Sequence, residues 1–199
     1  MEVNLVDVNF VGRDLKVNPR YYKWITDNRK VSEHVFFTDA MLEKANKLKT
    51  DQKKVAWLLE PKAISPNIYT YIEKNYKNFD KVLTFDKDLI SKIDNGLFCP
   101  YGTYWVEDKG DYVKDKKVSM IMSFKNYTEG QNLRHSILNY GFKDIDFYGR
   151  YNNSKQINSK NEGLDNYYFS IAVENSIQNS YWTEKLLDCF ITKTIPIYY

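Results

Sequence analysis

The feature of this sequence that most constrains its fold is the alternation of short, β-rich apolar runs with longer segments of helical periodicity. This alternation is typical of parallel βαβ units, so the chain is predicted to have an α/β fold. In the first half, strands are predicted near residues 3–8, 34–38, 54–59 and 81–85, and helices near 40–49, 66–77 and 86–93. Pro61 and Pro66 bracket a loop directly after the third strand, because proline cannot continue a central strand, and this loop contains Glu60.

A break in this pattern separates two units. Between residues 100 and 117 the sequence carries Gly102, Gly110 and a run of charged side chains, which is typical of a linker that crosses the surface. The chain has 199 residues, 43% of them hydrophobic, which is enough for a substantial core. We therefore predict an N-terminal unit over residues 1–105, a linker over 106–117 and a C-terminal unit over 118–199.

The C-terminal unit repeats the strand and helix pattern of the first. Its strands are predicted at residues 118–124, 144–149 and 168–173, and its helices at 129–140 and 183–193. Thr128 is the expected N-cap of the first helix, and Gly141 is the expected left-handed stop. In the last helix, the side chains predicted to pack on the sheet form one apolar stripe, Leu186, Leu187, Phe190 and Ile191.

The final residues, TIPIYY, are predicted to form a buried strand. A buried strand makes a poor chain terminus, so we expect either a shortened natural protein or a fragment of a longer one. The C-terminal unit is accordingly predicted to be incomplete.

Charge and side-chain composition argue against several classes of protein. The formal net charge is only +3, from 29 Lys and Arg against 26 Asp and Glu, so nucleic acid is not an expected partner. Cys99 and Cys189 lie far apart without a CxxC partner, which supports neither a disulfide framework nor a thiolate zinc site. The two histidines, His34 and His135, leave any metal site to carboxylates and argue against a histidine-based triad.

The sequence does not predict membrane insertion. Residues 1–14 contain charges throughout, and apolar runs such as residues 55–59 are far shorter than the roughly 20 residues that a spanning helix needs. These features predict a cytoplasmic protein without a transmembrane segment. They leave peripheral contact with a membrane open.

Candidate functional residues follow from the fold class. In open α/β folds, ligands bind at the carboxyl ends of strands, which favours Glu60, the residues after Phe124, and the pair Glu174 and Asn175. The segment 173–185 is the densest polar cluster of this kind.

The start of the last helix has the character of a phosphate site. A helix N-terminus offers unpaired N–H groups and partial positive charge, and Lys185 adds a full charge there. Arg134, on the first helix of the same unit, can grip a diphosphate with two parallel hydrogen bonds. Each residue also has a structural explanation, because Glu184 is favoured by the helix dipole, Lys185 and Arg134 can be solvated, and Tyr181 can be a packing residue.

Two Asp-x-Asp patterns offer an alternative, metal-based reading. Asp86 with Asp88 and Asp144 with Asp146 match a motif that holds a metal on a nucleotide diphosphate in some transferases. The pattern is short and common. The helix dipole explains the first pair, which lies in a predicted first helical turn, and solvation at a strand start explains the second.

Residues 167–199, YYFSIAVENSIQNSYWTEKLLDCFITKTIPIYY, closely resemble the signature of family 10 glycosyltransferases, the α1,3/1,4-fucosyltransferases. That signature combines a Tyr-Lys-Phe strand, Phe-Glu-Asn, Tyr-x-Thr-Glu-Lys and a helix that ends at Pro-Ile/Val-Tyr. The resemblance implies the GT-B arrangement of two Rossmann-like units. It also implies transfer of fucose from GDP-fucose with inversion, no metal in the active site and no cofactor other than the donor substrate.

The same resemblance assigns roles to residues of the C-terminal unit. Lys185 falls on a diphosphate-binding position, Glu184 on a ribose-binding position, and Tyr181 on a position beside the phosphates. Asn175 matches a further donor-contacting position. The segment FKNYTEGQNLRHSILNY resembles the family segment whose arginine holds the diphosphate, so Arg134 inherits that role.

In the N-terminal unit, residues 55–89 resemble the acceptor-domain stretch of the family, and Glu60 aligns with its proposed general base. Leu59-Glu60-Pro61 stands where the family more often has Gly-Glu-Asn. Inverting transfer needs a carboxylate that takes the acceptor proton and cations that stabilise the leaving diphosphate. The resemblance assigns the first task to Glu60 and the second to Arg134 and Lys185.

Three functions are consistent with these residues. The first is transfer of fucose from GDP-fucose to a glycan hydroxyl. The second is the same fold with another nucleotide sugar, because residues that grip diphosphate and ribose do not read the hexose. The third is a non-catalytic protein that binds a nucleotide sugar or a glycan.

Overall fold

The structure is a computed structural model of the chain and describes residues 1–8, 21–100 and 102–199. Residues 9–20 and 101, which the predicted N-terminal unit includes, lie outside the described residues. Internal contacts divide the described chain into two units. The first contains Met1–Pro100 and Asn179–Tyr181, and the second contains the rest of the described chain.

The first unit is built on a parallel sheet. In the described residues its six strands are β1 (Glu2–Val6), β2 (Lys23–Ile25), β3 (His34–Thr38), β4 (Lys53–Trp57), β5 (Lys81–Thr84) and β6 (Gly96–Phe98). Their order is β2-β1-β3-β4-β5-β6, and every neighbouring pair is parallel. The predicted α/β class with parallel sheets is thereby confirmed. Strands β2 and β6 were not predicted, because three residues are too few to show an alternating pattern.

The helices of the first unit are shorter than predicted. They are a 3-10 helix (Asp39–Asn46), α1 (Pro66–Asn75), a 3-10 turn (Tyr76–Asn78) and α2 (Lys87–Ile90). The predictions of helices over 40–49 and 86–93 were therefore wrong in type or length. After the first of these helices, the ammonium of Lys54 donates to the carbonyls of Ala45 and Leu48. After α2, the side chain of Asn95 donates to the carbonyls of Tyr76 and Phe79.

The core of the first unit lies between this sheet and its helices. Its most deeply buried members come from the central strands and the helices that cover them, and they include Phe37, Leu42, Leu58, Tyr69, Ile72, Val82 and Leu89. Burial of this apolar surface supplies the main driving force for folding of the unit. The carboxyl ends of β3, β4 and β5 are consequently held at fixed positions.

The second unit is built on a smaller parallel sheet. Among the residues described, its four strands are β7 (Lys116–Ile121), β8 (Ile145–Tyr148), β9 (Tyr167–Ala172) and β10 (Ile195–Tyr198), in the order β10-β9-β7-β8. Its helices are α3 (Glu129–Tyr140) and α4 (Glu184–Ile191), with 3-10 turns at Asn153–Lys155 and Lys160–Gly163. β7 begins within the segment 106–117 that the sequence analysis treats as a linker.

Helix α3 begins and ends at the predicted residues. The side chain of Thr128 accepts a hydrogen bond from the N–H of Gln131. Gly141 closes the helix in the left-handed region, at φ +79°, where a glycine is favoured because it has no Cβ. Local sequence signals therefore fix both ends of this helix.

The predicted burial was wrong for Phe190 of α4 and for β10, whereas Ile191 of α4 packs against the core as predicted. In α4 the buried side chains are Glu184, Asp188 and Cys189, whereas Phe190 is 58% exposed. The polar residues are buried because a cation from another segment pairs with them. In β10, Ile195 and Ile197 are about half exposed rather than buried, since this strand lies at the edge of its sheet.

In the part of the chain that the structure describes, no helix is both long enough and apolar enough to span a membrane.

Candidate functional site

Polar and charged side chains collect at strand ends in both units. In the second unit they surround residues 173–175, which directly follow β9. We call this region the 173–175 strand end. In the first unit they lie after β3 and β4, around Asp39 and Glu60.

The first turn of α3 packs directly on the 173–175 strand end. The N–H of Gly130 donates to the carbonyl of Asn175 over 3.2 Å. A Cβ atom at position 130 would lie 1.7 Å from the carbonyl oxygen of Glu174, so this contact requires glycine. The close approach brings Arg134, one turn further along α3, to the same strand end.

Arg134 is buried and is held by backbone and amide oxygens. Its Nε and Nη2 atoms donate to the carbonyl of Val173 at 3.1 and 2.6 Å. Nη2 also donates to Oδ1 of Asn175 at 3.0 Å. These acceptors are uncharged, and they fix the plane of the guanidinium. A guanidinium fixed in this way is suited to recognise a phosphate by parallel hydrogen bonds.

Lys185 reaches the same strand end from the first turn of α4. Thr183 caps this helix and bonds to Glu174 through its N–H at 2.7 Å and its hydroxyl at 2.8 Å. The ammonium of Lys185 lies 2.9 Å from the Thr183 hydroxyl and 3.3 Å from Oε2 of Glu174. Arg134, Asn175 and Lys185 are therefore brought together at the 173–175 strand end.

Glu184 is buried beside this group and is ionised. Burial alone would raise the pKa of Glu184, but the positive charges of Lys160 and Lys185 outweigh it and lower the pKa to about 2. The Lys160 ammonium lies 3.1 Å from the Glu184 carboxylate. The ionised carboxylate of Glu184 is a hydrogen-bond acceptor, which suits the hydroxyls of a ribose.

Lys160 organises a buried ion cluster that sequence reasoning missed. It pairs with Glu184 and, at 2.8 Å, with Asp188, and it lies 4.5 Å from the ring centroid of Trp105. Asp188 also accepts from the N–H of Trp105 at 2.6 Å. Burial raises the pKa of Asp188 in spite of Lys160. Glu184 differs because Lys185 and Thr183 stabilise its charge as well.

A local signal for this cluster does exist in the sequence. Ser159 and Glu162 form a capping box, in which each side chain bonds to the backbone of the other end of a helical turn. The spacing Ser-x-x-Glu is visible in the sequence at residues 159–162. It predicts an ordered turn at Lys160, although not the partners of Lys160.

Tyr181 is placed with the first unit rather than with the 173–175 strand end. It is 6% exposed, and its ring centroid lies 5.0 Å from that of Phe85. Its contacts described here are those of a packing residue.

Glu60 follows β4 in the first unit and is half-buried. Its N–H donates to Oδ1 of Asp39 at 3.3 Å, and its carbonyl accepts from the Tyr69 hydroxyl at 3.2 Å. The backbone that carries the carboxylate is thus held on both sides. A general base needs such a fixed position to meet its substrate.

The Asp-x-Asp motifs have structural roles. Asp86 caps α2 by accepting from the N–H of Leu89 at 2.9 Å. Asp146 accepts from the Tyr167 hydroxyl at 2.6 Å, and Asp144 lies 3.8 Å from Lys117 on the surface. Within residues 1–8, 21–100 and 102–199, no group of three or more His, Cys, Asp or Glu side chains is arranged to hold a metal ion.

Residues 112–199 match the model of the family "Glycosyltransferase family 10 (fucosyltransferase) C-term". This segment includes β7 to β10, α3, α4 and the 173–175 strand end. Among curated proteins, none matches this sequence.

Three solved structures share the fold of the whole chain. One is a crystal structure of an alpha1,3-fucosyltransferase, with a TM-score of 0.58, 18% identity, and coverage of 100% of this chain and 67% of that chain. The second, with GDP-fucose, has a TM-score of 0.58, 17% identity and coverage of 100% and 68%. The third, with GDP, has a TM-score of 0.59, 19% identity and coverage of 100% and 68%.

The parallel α/β units have the fold of the alpha1,3-fucosyltransferase structures. Residues 112–199 resemble a glycosyltransferase family 10 C-terminal domain, because they match its family model. The resemblance predicted from the sequence is thereby confirmed for that segment, and the fold agrees with it over the full chain.

Proposed function

We propose that this protein transfers fucose from GDP-fucose to a hydroxyl group of a glycan, with inversion at the transferred sugar. The observation that carries the proposal is that Arg134 and Lys185, on two different helices, both contact the 173–175 strand end. The match of residues 112–199 to a fucosyltransferase domain favours fucose as the sugar. Two of the three solved structures contain GDP-fucose or GDP, which favours GDP as the carrier.

Donor binding is assigned to the second unit. Arg134 and Lys185 hold the diphosphate, Glu184 holds the ribose, and Asn175 contacts the donor while it orients Arg134. Tyr181, which belongs to the first unit, is assigned a position beside the phosphates. As the glycosidic bond to GDP breaks, negative charge develops on the leaving diphosphate, and the two cations stabilise it.

Proton removal is assigned to Glu60 in the first unit. The carboxylate takes the proton of the acceptor hydroxyl while the oxygen attacks the anomeric carbon from the side opposite GDP, which inverts the configuration. The proposal includes a GT-B arrangement of the two units, no metal cofactor, a cytoplasmic location and a glycan acceptor. It includes no role for nucleic acid.

Ligand-induced stabilisation tests the choice of donor. GDP and GDP-fucose are expected to raise the Tm of the protein, because a ligand that binds only the folded form stabilises it, by about 2.7 kcal/mol at 100 times its Kd. UDP and UDP-sugars are expected to give smaller shifts. A larger Tm shift with UDP would show that the donor is a UDP-sugar rather than GDP-fucose. Binding of GDP without sugar transfer or donor hydrolysis would indicate a non-catalytic binding protein.

Substitution of the two cations tests the donor site. Arg134→Ala and Lys185→Ala are each expected to weaken GDP binding about 10- to 100-fold, the effect of losing a charge-assisted hydrogen bond. Isothermal titration calorimetry measures this change. Arg150→Ala and Lys143→Ala, which remove exposed cations of the same unit, are the matched controls and should leave the Kd unchanged. Equal affinities in all four variants would remove Arg134 and Lys185 from the donor site.

A further inference from the structure

Asp39 has an uncommon backbone conformation at the end of β3. Its φ is +32°, in the left-handed region that residues other than glycine rarely adopt. Such conformations persist only where surrounding contacts enforce them, and they cluster at functional sites. The side chain of Asp39 provides those contacts.

The Asp39 carboxyl group links the end of β3 to the segment that follows β4. Its Oδ1 accepts from the N–H of Leu59 at 3.0 Å and from the N–H of Glu60 at 3.3 Å. Asp39 is only 3% exposed, and its Oδ2 atom has no hydrogen-bond partner in the described residues. The left-handed turn is therefore what aims this carboxyl at the Glu60 backbone.

Several acidic groups face this carboxyl from neighbouring elements. Glu60 follows β4 and Asp7 follows β1, and both repel a negative charge on Asp39. From α1, the Tyr69 hydroxyl bonds to the Glu60 carbonyl and interacts with both Asp39 and Asp86. Burial, opposed in part by the two N–H groups, raises the pKa of Asp39 to about 7.

The protonation state of Asp39 has a direct consequence for its neighbour. A proton on Oδ2 leaves Oδ1 free to accept both N–H bonds. It also spares the site a second buried negative charge beside Glu60. Loss of that proton leaves an ionised oxygen buried without a hydrogen bond, which is strongly unfavourable.

We propose that Asp39 is a positioning residue for Glu60: its neutral carboxyl holds the backbone of Glu60 in place without adding a negative charge beside it. This proposal rests on the proposed function, because it takes Glu60 as the general base. Asp39 acts through the position and charge of Glu60, and does not itself touch the substrate.

The test compares Asp39→Asn and Asp39→Ala by the pH dependence of transfer. Wild-type kcat is expected to fall as the pH rises through about 7, where Asp39 loses its proton. Asp39→Asn keeps an acceptor oxygen and is always neutral, so its kcat should match the wild type at pH 6 and lack this fall. Asp39→Ala loses both N–H bonds, and kcat per folded molecule should drop about 100-fold, the effect of misplacing a catalytic group by about 1 Å.

Asp88→Asn, which neutralises an exposed carboxylate of the same unit, is the matched control and should keep the wild-type profile. If Asp39→Asn retains the fall with the same midpoint, or if Asp39→Ala keeps wild-type kcat, the positioning role is overturned. If the wild type shows no transfer with any donor, the proposed function and this role fail together. The first two results overturn the role of Asp39 alone.

Thermal unfolding gives a readout that does not depend on activity. An acid whose folded-state pKa is raised stabilises the fold most at low pH, and this contribution is lost as the pH rises from its unfolded value of about 3.9 to about 7. The Tm of Asp39→Asn minus that of the wild type should therefore increase over this pH interval and stay constant above it. Parallel Tm curves would overturn the protonated state that the proposal requires.

Discussion

Glu60→Gln is expected to reduce the rate of sugar transfer about 10²- to 10⁴-fold, the usual contribution of a general base. Glutamine has the size of glutamate and keeps one carbonyl oxygen, but it cannot take a proton from the acceptor hydroxyl. The fold should tolerate the change, because the bonds that hold residue 60 to Asp39 and Tyr69 use its backbone atoms.

Nucleotide binding should distinguish a catalytic role from a general defect. Apart from Tyr181, the residues assigned to GDP belong to the second unit, so the Kd for GDP should be unchanged in Glu60→Gln. Glu43→Gln, at an exposed glutamate of the same unit, is the matched control and should transfer sugar at the wild-type rate. Full turnover by Glu60→Gln, measured with radiolabelled donor, would show that another residue is the general base.

Lys160→Met is expected to destabilise the second unit by about 3–5 kcal/mol, the typical cost of removing one partner from a buried ion pair. Methionine fills much of the volume of the lysine side chain, so the loss is mainly electrostatic. Glu184 and Asp188 would both remain buried, and Asp188 would lose its cation altogether among the contacts described here.

The destabilisation should depend on pH in a defined direction. In the wild type, the folded-state pKa of Glu184 is about 2, below its unfolded value of about 4.3. Its ionised form therefore stabilises the fold above about pH 4, and this contribution is lost as the pH falls toward 2. The difference between Lys160→Met and the wild type should shrink on acidification, since protonation relieves the unpaired carboxylates.

Urea unfolding at pH 7 and at pH 4, together with hydrogen exchange of the Trp105 amide, measures these effects. That amide reports on the cluster because it donates to Asp188. Lys117→Met breaks an exposed pair with Asp144 and is the control, with an expected change of about 1 kcal/mol or less. A similarly small change in Lys160→Met would show that the cluster contributes little to stability.

Elements with strong local signals were predictable from the sequence. α3 has a threonine cap, a helical pattern and a left-handed glycine, and both of its ends were placed correctly. β3 was placed at its observed residues for a similar reason, since five β-prone residues lie between polar segments. The three-residue strands β2 and β6 lack such a pattern, because their position depends on pairing with a neighbour.

The candidate site was predictable only in part. Arg134, Asn175 and Lys185 follow from strand ends, helix starts and the family resemblance, and the structure brings these three together. Lys160 and Asp39 escaped notice because their importance lies in partners far away in sequence. The apolar stripe predicted for α4 was wrong in part for the same reason, since a buried acid is stable only when a distant cation reaches it.

The sequence by itself determined the parallel α/β class, the limits of α3, the place of Arg134 on that helix and the strand-end positions of Asn175 and Glu60, because these depend on periodicity, capping and chain order. Only the tertiary structure decided which charges are paired, which carboxyl groups are buried and which strand lies at an edge. The physical reason is that pKa values and ion pairs depend on burial and on distances between residues remote in the chain. Local patterns carry no information on those distances.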